Sequence, residues 1–78
     1  MEAEGFIIET ARAGVDFIER ERRRLGYTQE RISELAHPED VRKHYPRMCA
    51  QGETKLSDYI RYARAAGYNV VLIKREDA

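Results

Sequence analysis

The sequence predicts a single, mostly α-helical domain of four short helices with one short C-terminal β-strand. Three observations support this fold class. The chain has 78 residues, which is enough for one hydrophobic core and too few for two. Apolar residues recur at helical spacing in several runs that glycine or proline separates. A continuous aliphatic run then spans residues 70–73 and predicts a strand over about 69–75.

The first helix is predicted from Phe6 to Leu25. Gly26 follows it and suits the left-handed position that ends a helix. Arginines at positions 20 and 22–24 alternate with Glu19 and Glu21, so we expect intrahelical ion pairs there. The predicted inner stripe of this helix is Ile8, Ala11, Val15, Ile18 and Leu25.

A second helix is predicted to begin at the cap Thr28 and to stop at His37, because the residue before a proline is disfavoured in a helix. Pro38 suits the first turn of a third helix. Pro46 is expected to end or kink this helix near Tyr45, since an interior proline removes a backbone hydrogen bond. The predicted inner residues of these two helices are Ile32, Leu35, Ala36, Val41 and Tyr45.

The fourth helix is predicted to begin at the cap Thr54 or Ser57 and to close at Gly67. Its predicted inner stripe is Leu56, Tyr59, Ile60 and Ala63. The strand that follows has no obvious partner strand, although residues 6–10 are a weaker alternative as one. A homodimer is therefore expected, either through the first helix or through the strand residues Val70, Val71, Leu72 and Ile73.

Charge is distributed unevenly along a chain whose formal net charge is zero. Residues 1–19 hold five acidic residues against one arginine, whereas residues 41–64 hold six basic residues against two acidic ones. Contact with a polyanion must therefore be local. There is no apolar run long enough for a membrane span and no apolar leader, so we expect a cytoplasmic protein with no membrane contact.

The segment Gly26-Tyr27-Thr28-Gln29 resembles the start of the motif in the Cro and lambda-repressor superfamily of helix-turn-helix regulators. The likeness continues at Gly52-Glu53 and over residues 56–68, which are similar to the later helix of small phage repressors and helix-turn-helix antitoxins. The resemblance implies a helix-turn-helix domain over residues 1–78 with its motif at about 28–48. It also implies a dimeric repressor of transcription that binds a palindromic operator in double-stranded DNA.

If Tyr45 faces the core, helical rotation places Glu39, Lys43 and Arg47 on the opposite side, with Asp40 and Arg42 flanking. Arg42 or Lys43 is expected to donate to guanine, and Glu39 or Asp40 to accept from cytosine. The resemblance assigns a backbone phosphate to Gln29, together with Thr28 and the free amides of the second helix. The predicted DNA-contact set is Thr28, Gln29, Glu39, Arg42, Lys43, Arg47, Lys55 and Arg61, the last two anchoring a flanking phosphate.

Simpler interpretations stay open for the same residues: Thr28 as a cap only, and the basic residues as a solvated helix face. The alternative function is a protein-binding module, such as an antitoxin or a phage-encoded inhibitor. His37, His44 and Cys49 do not fit a recognised zinc spacing, so no metal or cofactor is expected. Cys49 has no visible catalytic partners, and we expect no enzymatic activity.

Overall fold

Four helices form the domain in a computed structural model that describes residues 5–39 and 44–76. They are α1 (Ala11–Leu25), α2 (Gln29–Ala36), α3 (His44–Gln51) and α4 (Leu56–Ala65). Helix α2 packs against both α3 and α4, and α1 packs against α3. The predicted mostly helical class with four helices is confirmed.

The core lies where the four helices meet, and each helix contributes two buried side chains to it. Tyr45 and Tyr62 are the largest of them and are fully buried, with their rings 5.3 Å apart in an edge-to-face arrangement. The buried hydrophobic residues of this cluster are Val15, Ile18, Ile32, Ala36, Tyr45, Met48, Tyr62 and Ala63.

The prediction that α1 begins at Phe6 is wrong, because the helix begins at Ala11. Thr10 has an extended backbone, and its hydroxyl accepts a hydrogen bond from the Ala13 amide at 3.0 Å, which caps the helix. The residues before it lie outside the helix, where the Phe6 ring packs on Phe17 with centroids 4.6 Å apart. The other end matches the prediction, since Gly26 adopts the left-handed conformation with φ of 76°.

Helix α3 also differs from the prediction. It runs from His44 to Gln51, and Pro46 is its third residue. The amides of a first turn have no intrahelical acceptor, so proline is tolerated there and the expected break at Tyr45 does not occur. Pro38 and Glu39 form a turn instead of opening a helix. Asp40, Val41, Arg42 and Lys43 lie outside the described residues.

The start and inner face of α4 correct two further expectations. Lys55 is the cap residue and makes no side-chain capping bond, so neither Thr54 nor Ser57 caps the helix. Leu56 is 68% exposed, and Tyr62 takes the fully buried position instead. A helix that starts one residue after Lys55 turns Leu56 away from the core. Leu35 of α2 is likewise exposed, and Ser33 is buried in its place.

The predicted strand at 69–75 is not found, and the described residues contain no β-strand. A strand needs a neighbouring backbone edge for its hydrogen bonds, and no described residue is paired with residues 69–75 in that way. These residues follow Gly67, which has φ of 92°, and they are exposed, with Leu72 fully so. No helix in the described part of the chain is both long and apolar enough to cross a bilayer.

Candidate nucleic-acid interface

The N-terminal turn of α2 is exposed from Thr28 through Arg31. As predicted, Thr28 is the cap, and its hydroxyl accepts from the Arg31 amide at 3.0 Å. Gln29 and Glu30 occupy the first two helical positions, whose amides have no acceptor within the helix. This end of the helix therefore carries partial positive charge toward solvent, which suits a phosphate oxygen.

Helix α3 presents a buried and an exposed side. Tyr45 and Met48 face the core, whereas Pro46 and Arg47 are exposed, as the rotation from Tyr45 predicts. Arg47 is exposed and forms no ion pair with any described residue. Arg42 and Lys43, the predicted guanine contacts, lie outside the described residues.

The structure brings two members of the predicted DNA-contact set together, namely Glu39 and Arg61. Arg61 Nη1 lies 2.5 Å from Glu39 Oε1, and it also donates to the Ala36 carbonyl oxygen at 3.2 Å. The pKa of Glu39 is lowered, first by a backbone hydrogen bond at its own position and then by Arg61. Both residues therefore have protein partners and are not free to contact DNA as they stand. Lys55 is exposed and forms no ion pair with the residues that the structure describes.

His37 lies beside this pair and was not assigned a role from the sequence. It caps the C-terminus of α2, where its amide donates to the Ser33 carbonyl oxygen at 2.8 Å, and its ring is buried. Ring atom Nδ1 lies 3.3 Å from Arg61 Nη1, and Nε2 lies 3.7 Å from Asp58 Oδ1. Nε2 is buried and makes no hydrogen bond to a described residue. The Tyr62 ring packs edge-on against His37, and its buried hydroxyl makes no hydrogen bond of normal geometry to a described residue, although the Ser33 side chain is a polar neighbour.

Glu19 fastens α1 to α3 and is the most elaborate polar contact among the described residues. Arg22 Nε donates to it at 3.1 Å and Arg23 Nε at 3.2 Å, which confirms the predicted intrahelical pairs. The Tyr45 hydroxyl also donates to Glu19, at 2.6 Å, across 26 positions of sequence. The hydrogen bond from Arg22 is the largest cause that lowers the pKa of Glu19 to about 2; burial opposes it, and Tyr45 adds to it.

A second glutamate of α1 repeats this arrangement toward the C-terminal segment. Glu21 is buried and accepts from Arg24 Nε at 3.0 Å and from the Tyr68 hydroxyl at 2.6 Å. The sequence predicted the arginine contact but not the tyrosine. The available signal was that a tyrosine placed in a core must find a partner for its hydroxyl.

The two terminal segments of the described chain line an apolar groove, which we call the terminal groove. Its walls are the N-terminal segment 5–10 and the C-terminal segment 68–73, and its volume is about 730 Å³. Ile7, Val71 and Ile73 line it and are 70–88% exposed, an unusual concentration of apolar surface for so small a domain.

No three metal-binding side chains converge within residues 5–39 and 44–76. Cys49 is half-buried, its thiol lies 3.6 Å from Glu19 Oε2, and burial raises its pKa. A thiol held in its protonated form beside a carboxylate is a poor nucleophile and a poor metal ligand.

Comparisons of the chain with protein-family models, curated proteins and solved structures find no match.

Proposed function

We propose that this protein is a DNA-binding regulator that represses transcription, with the exposed turn of α2 on a phosphate and the exposed side of α3 in the major groove. The observation that carries the proposal is the packed pair α2–α3. Its first helix exposes a Thr28-capped N-terminus, and its second buries Tyr45 and Met48 while exposing Arg47. In the helix-turn-helix motif the first helix meets the backbone and the second reads bases. The resemblance of residues 26–29 to Cro and lambda-repressor proteins agrees with this assignment.

The exposed cations also support contact with a polyanion. Arg47 and Lys55 are exposed cations without an ion-pair partner among the described residues, whereas the arginines of α1 at positions 22, 23 and 24 are paired with glutamates. An unpaired cation gains more from a phosphate than one that must first give up a carboxylate.

A homodimer belongs to the proposal, with the C-terminal residues Val70, Val71, Leu72 and Ile73 in the interface. These side chains are 42–100% exposed in the single chain. A palindromic operator requires two copies related by a two-fold axis, and this exposed apolar segment provides a surface that one copy can share with another.

The terminal groove also favours a second candidate, a protein-binding module of the antitoxin or inhibitor type. An apolar groove of this size suits an apolar segment of another protein as well as a second copy. The two candidates differ in salt dependence, because apolar docking is nearly independent of salt whereas phosphate contacts are not.

The test is the fluorescence anisotropy of a labelled, mixed-sequence 20-base-pair duplex, titrated with the protein at 50 and 200 mM salt. We expect affinity to fall steeply with salt, with a logarithmic slope of about −0.9 for each phosphate contacted. Arg47→Ala and Lys55→Ala should each reduce the slope by about one if the residue contacts a phosphate. Lys74→Ala is the matched control, because this exposed lysine follows the terminal groove. An affinity that is equal at the two salt concentrations rejects the proposal.

A further inference from the structure

The two histidines of the chain, His37 and His44, lie together near the C-terminal end of α2. Histidine is the amino acid whose unperturbed side chain changes its charge between pH 8 and 5. The rings of His37 and His44 have centroids 5.7 Å apart. His37 is 8% exposed and is placed between two residues of α4, Asp58 and Arg61. The rings of Tyr62 and His44 pack on it from α4 and α3.

The contact with Arg61 favours one tautomer of the neutral imidazole. A guanidinium has only donors, so a lone pair on Nδ1 fits the 3.3 Å contact with Arg61 Nη1, whose two hydrogens are shared with the Ala36 carbonyl oxygen and Glu39 Oε1. This arrangement favours a neutral ring that carries its hydrogen on Nε2. That atom faces Asp58 Oδ1 at 3.7 Å, too far for a hydrogen bond, and it is left buried without a partner.

A proton added at Nδ1 weakens the contact with Arg61 and strengthens the contact with Asp58. Nδ1 becomes a donor that faces a donor, and two positive charges stand where one stood. At the same time the positive ring attracts the Asp58 carboxylate, which draws Nε2–H toward Oδ1 and supplies the hydrogen bond it lacks.

We propose that His37 is a proton-operated switch that exchanges Arg61 for Asp58 as its partner and so frees the Arg61 guanidinium to bind a nucleic-acid phosphate. The partners that Arg61 keeps are the Ala36 carbonyl oxygen and Glu39, and the Arg61 and Glu39 side chains are 48% and 59% exposed. An exposed ion pair of this kind is held weakly, so a phosphate can displace it. The consequence for DNA rests on the proposed function, whereas the exchange of partners does not.

The exchange is tested first in the protein alone, by NMR of the two histidine rings and of the Arg61 side chain between pH 8 and 5. We expect the ring of His37 to carry its hydrogen on Nε2 at pH 8. The Arg61 Nε and Cζ signals should shift with the same midpoint as His37. His44→Gln is the matched control and should leave that coupled shift in place. An Arg61 signal that follows His44 or stays fixed, or a His37 ring with its hydrogen on Nδ1 at pH 8, overturns the proposal.

The consequence is tested with the mixed-sequence duplex at pH 8 and pH 5.5. One added phosphate contact should increase the ratio of the dissociation constants at 200 and 50 mM salt by about 3.5-fold at the lower pH. This increase should be absent in His37→Gln and in Arg61→Gln and present in His44→Gln, with circular dichroism confirming that each variant folds. An increase that persists in Arg61→Gln overturns the role of Arg61.

The two proposals fail in different ways. If the coupled NMR shift occurs and the duplex does not bind at either pH, the switch stands and the proposed function fails. If the duplex binds with the expected salt dependence and the Arg61 signals ignore His37, the function stands and the switch fails.

Discussion

The contact between α1 and α3 and the contact between α2 and α4 are built on opposite principles. At the first, Glu19 accepts hydrogen bonds from Arg22, Arg23 and Tyr45, so the buried tyrosine hydroxyl has its partner. At the second, the buried His37 Nε2 atom and Tyr62 hydroxyl make no hydrogen bond of normal geometry to a described residue. A satisfied polar network fixes a single arrangement, whereas unpaired polar atoms leave a contact that can change its partners. The adjustable contact lies next to the turn that leads toward α3.

The largest expected effect comes from removing the charge of the α1–α3 network. Glu19→Gln should lower the free energy of unfolding at pH 7 by about 3 kcal/mol, because the folded carboxyl has a pKa of about 2 against an ordinary 4.5. The unfolded chain takes up the proton first as pH falls. This contribution is therefore complete above about pH 4.5 and is lost as pH approaches 2.

Urea denaturation at several pH values measures this contribution. The stabilities of the wild type and Glu19→Gln should converge between pH 4.5 and 2. Glu53→Gln, a change of an exposed carboxylate, should behave as the wild type. A difference that stays constant over this range contradicts the assignment of the pKa to this network.

Tyr45 and Tyr62 provide the sharpest contrast between the two contacts, because both are fully buried and their hydroxyl groups have different surroundings. Both are fully buried in the same cluster. Tyr45→Phe removes a hydrogen bond to a carboxylate and should destabilise the fold by about 2 kcal/mol. Tyr62→Phe removes a hydroxyl that has only the neutral Ser33 side chain as a polar neighbour and makes no well-formed hydrogen bond to a described residue, so its effect is expected to be smaller, from zero to about 1 kcal/mol. Equal losses of stability in thermal or urea unfolding would remove the distinction between the two contacts.

The smallest expected effect on stability is that of Glu39→Gln, which breaks the exposed pair with Arg61. The free energy of unfolding should stay close to that of the wild type, because solvent screens an exposed ion pair. Binding to the mixed-sequence duplex should tighten, because the variant removes a negative charge and releases Arg61. Unfolding and anisotropy measured on the same preparation check both parts, and weaker binding would show that Glu39 itself contacts DNA.

Local signals in the sequence predicted the helices well. The cap Thr28 and the left-handed Gly26 depend on residues within one or two turns, and the structure agrees with both predictions. Of the predicted apolar stripe of α1, Val15 and Ile18 are buried, whereas Ile8 and Ala11 are exposed. The start of α1 was misplaced because Thr10 acts as a cap inside what looked like one continuous stripe. The expected break at Pro46 was wrong because a proline is tolerated in the first turn of a helix, and the sequence did not show that α3 begins at His44.

The polar contacts between helices could not be predicted in this way. Glu19 and Tyr45 are 26 positions apart, and Arg61 and His37 are 24 apart. Only the fold decides which of several arginines approaches a given acceptor. For the same reason, the sequence did not reveal that Arg61, a predicted phosphate contact, forms an ion pair with Glu39. Arg47 is exposed, as expected.

The central claim, that the side formed by α2 and α3 meets DNA, is tested most directly by mapping amide shifts in an NMR titration with the duplex. The account predicts the largest changes at Thr28, Gln29 and Arg47, with little change at Ile7 and Leu72 in the terminal segments. Changes concentrated in those terminal segments, or none at all at low salt, would contradict it.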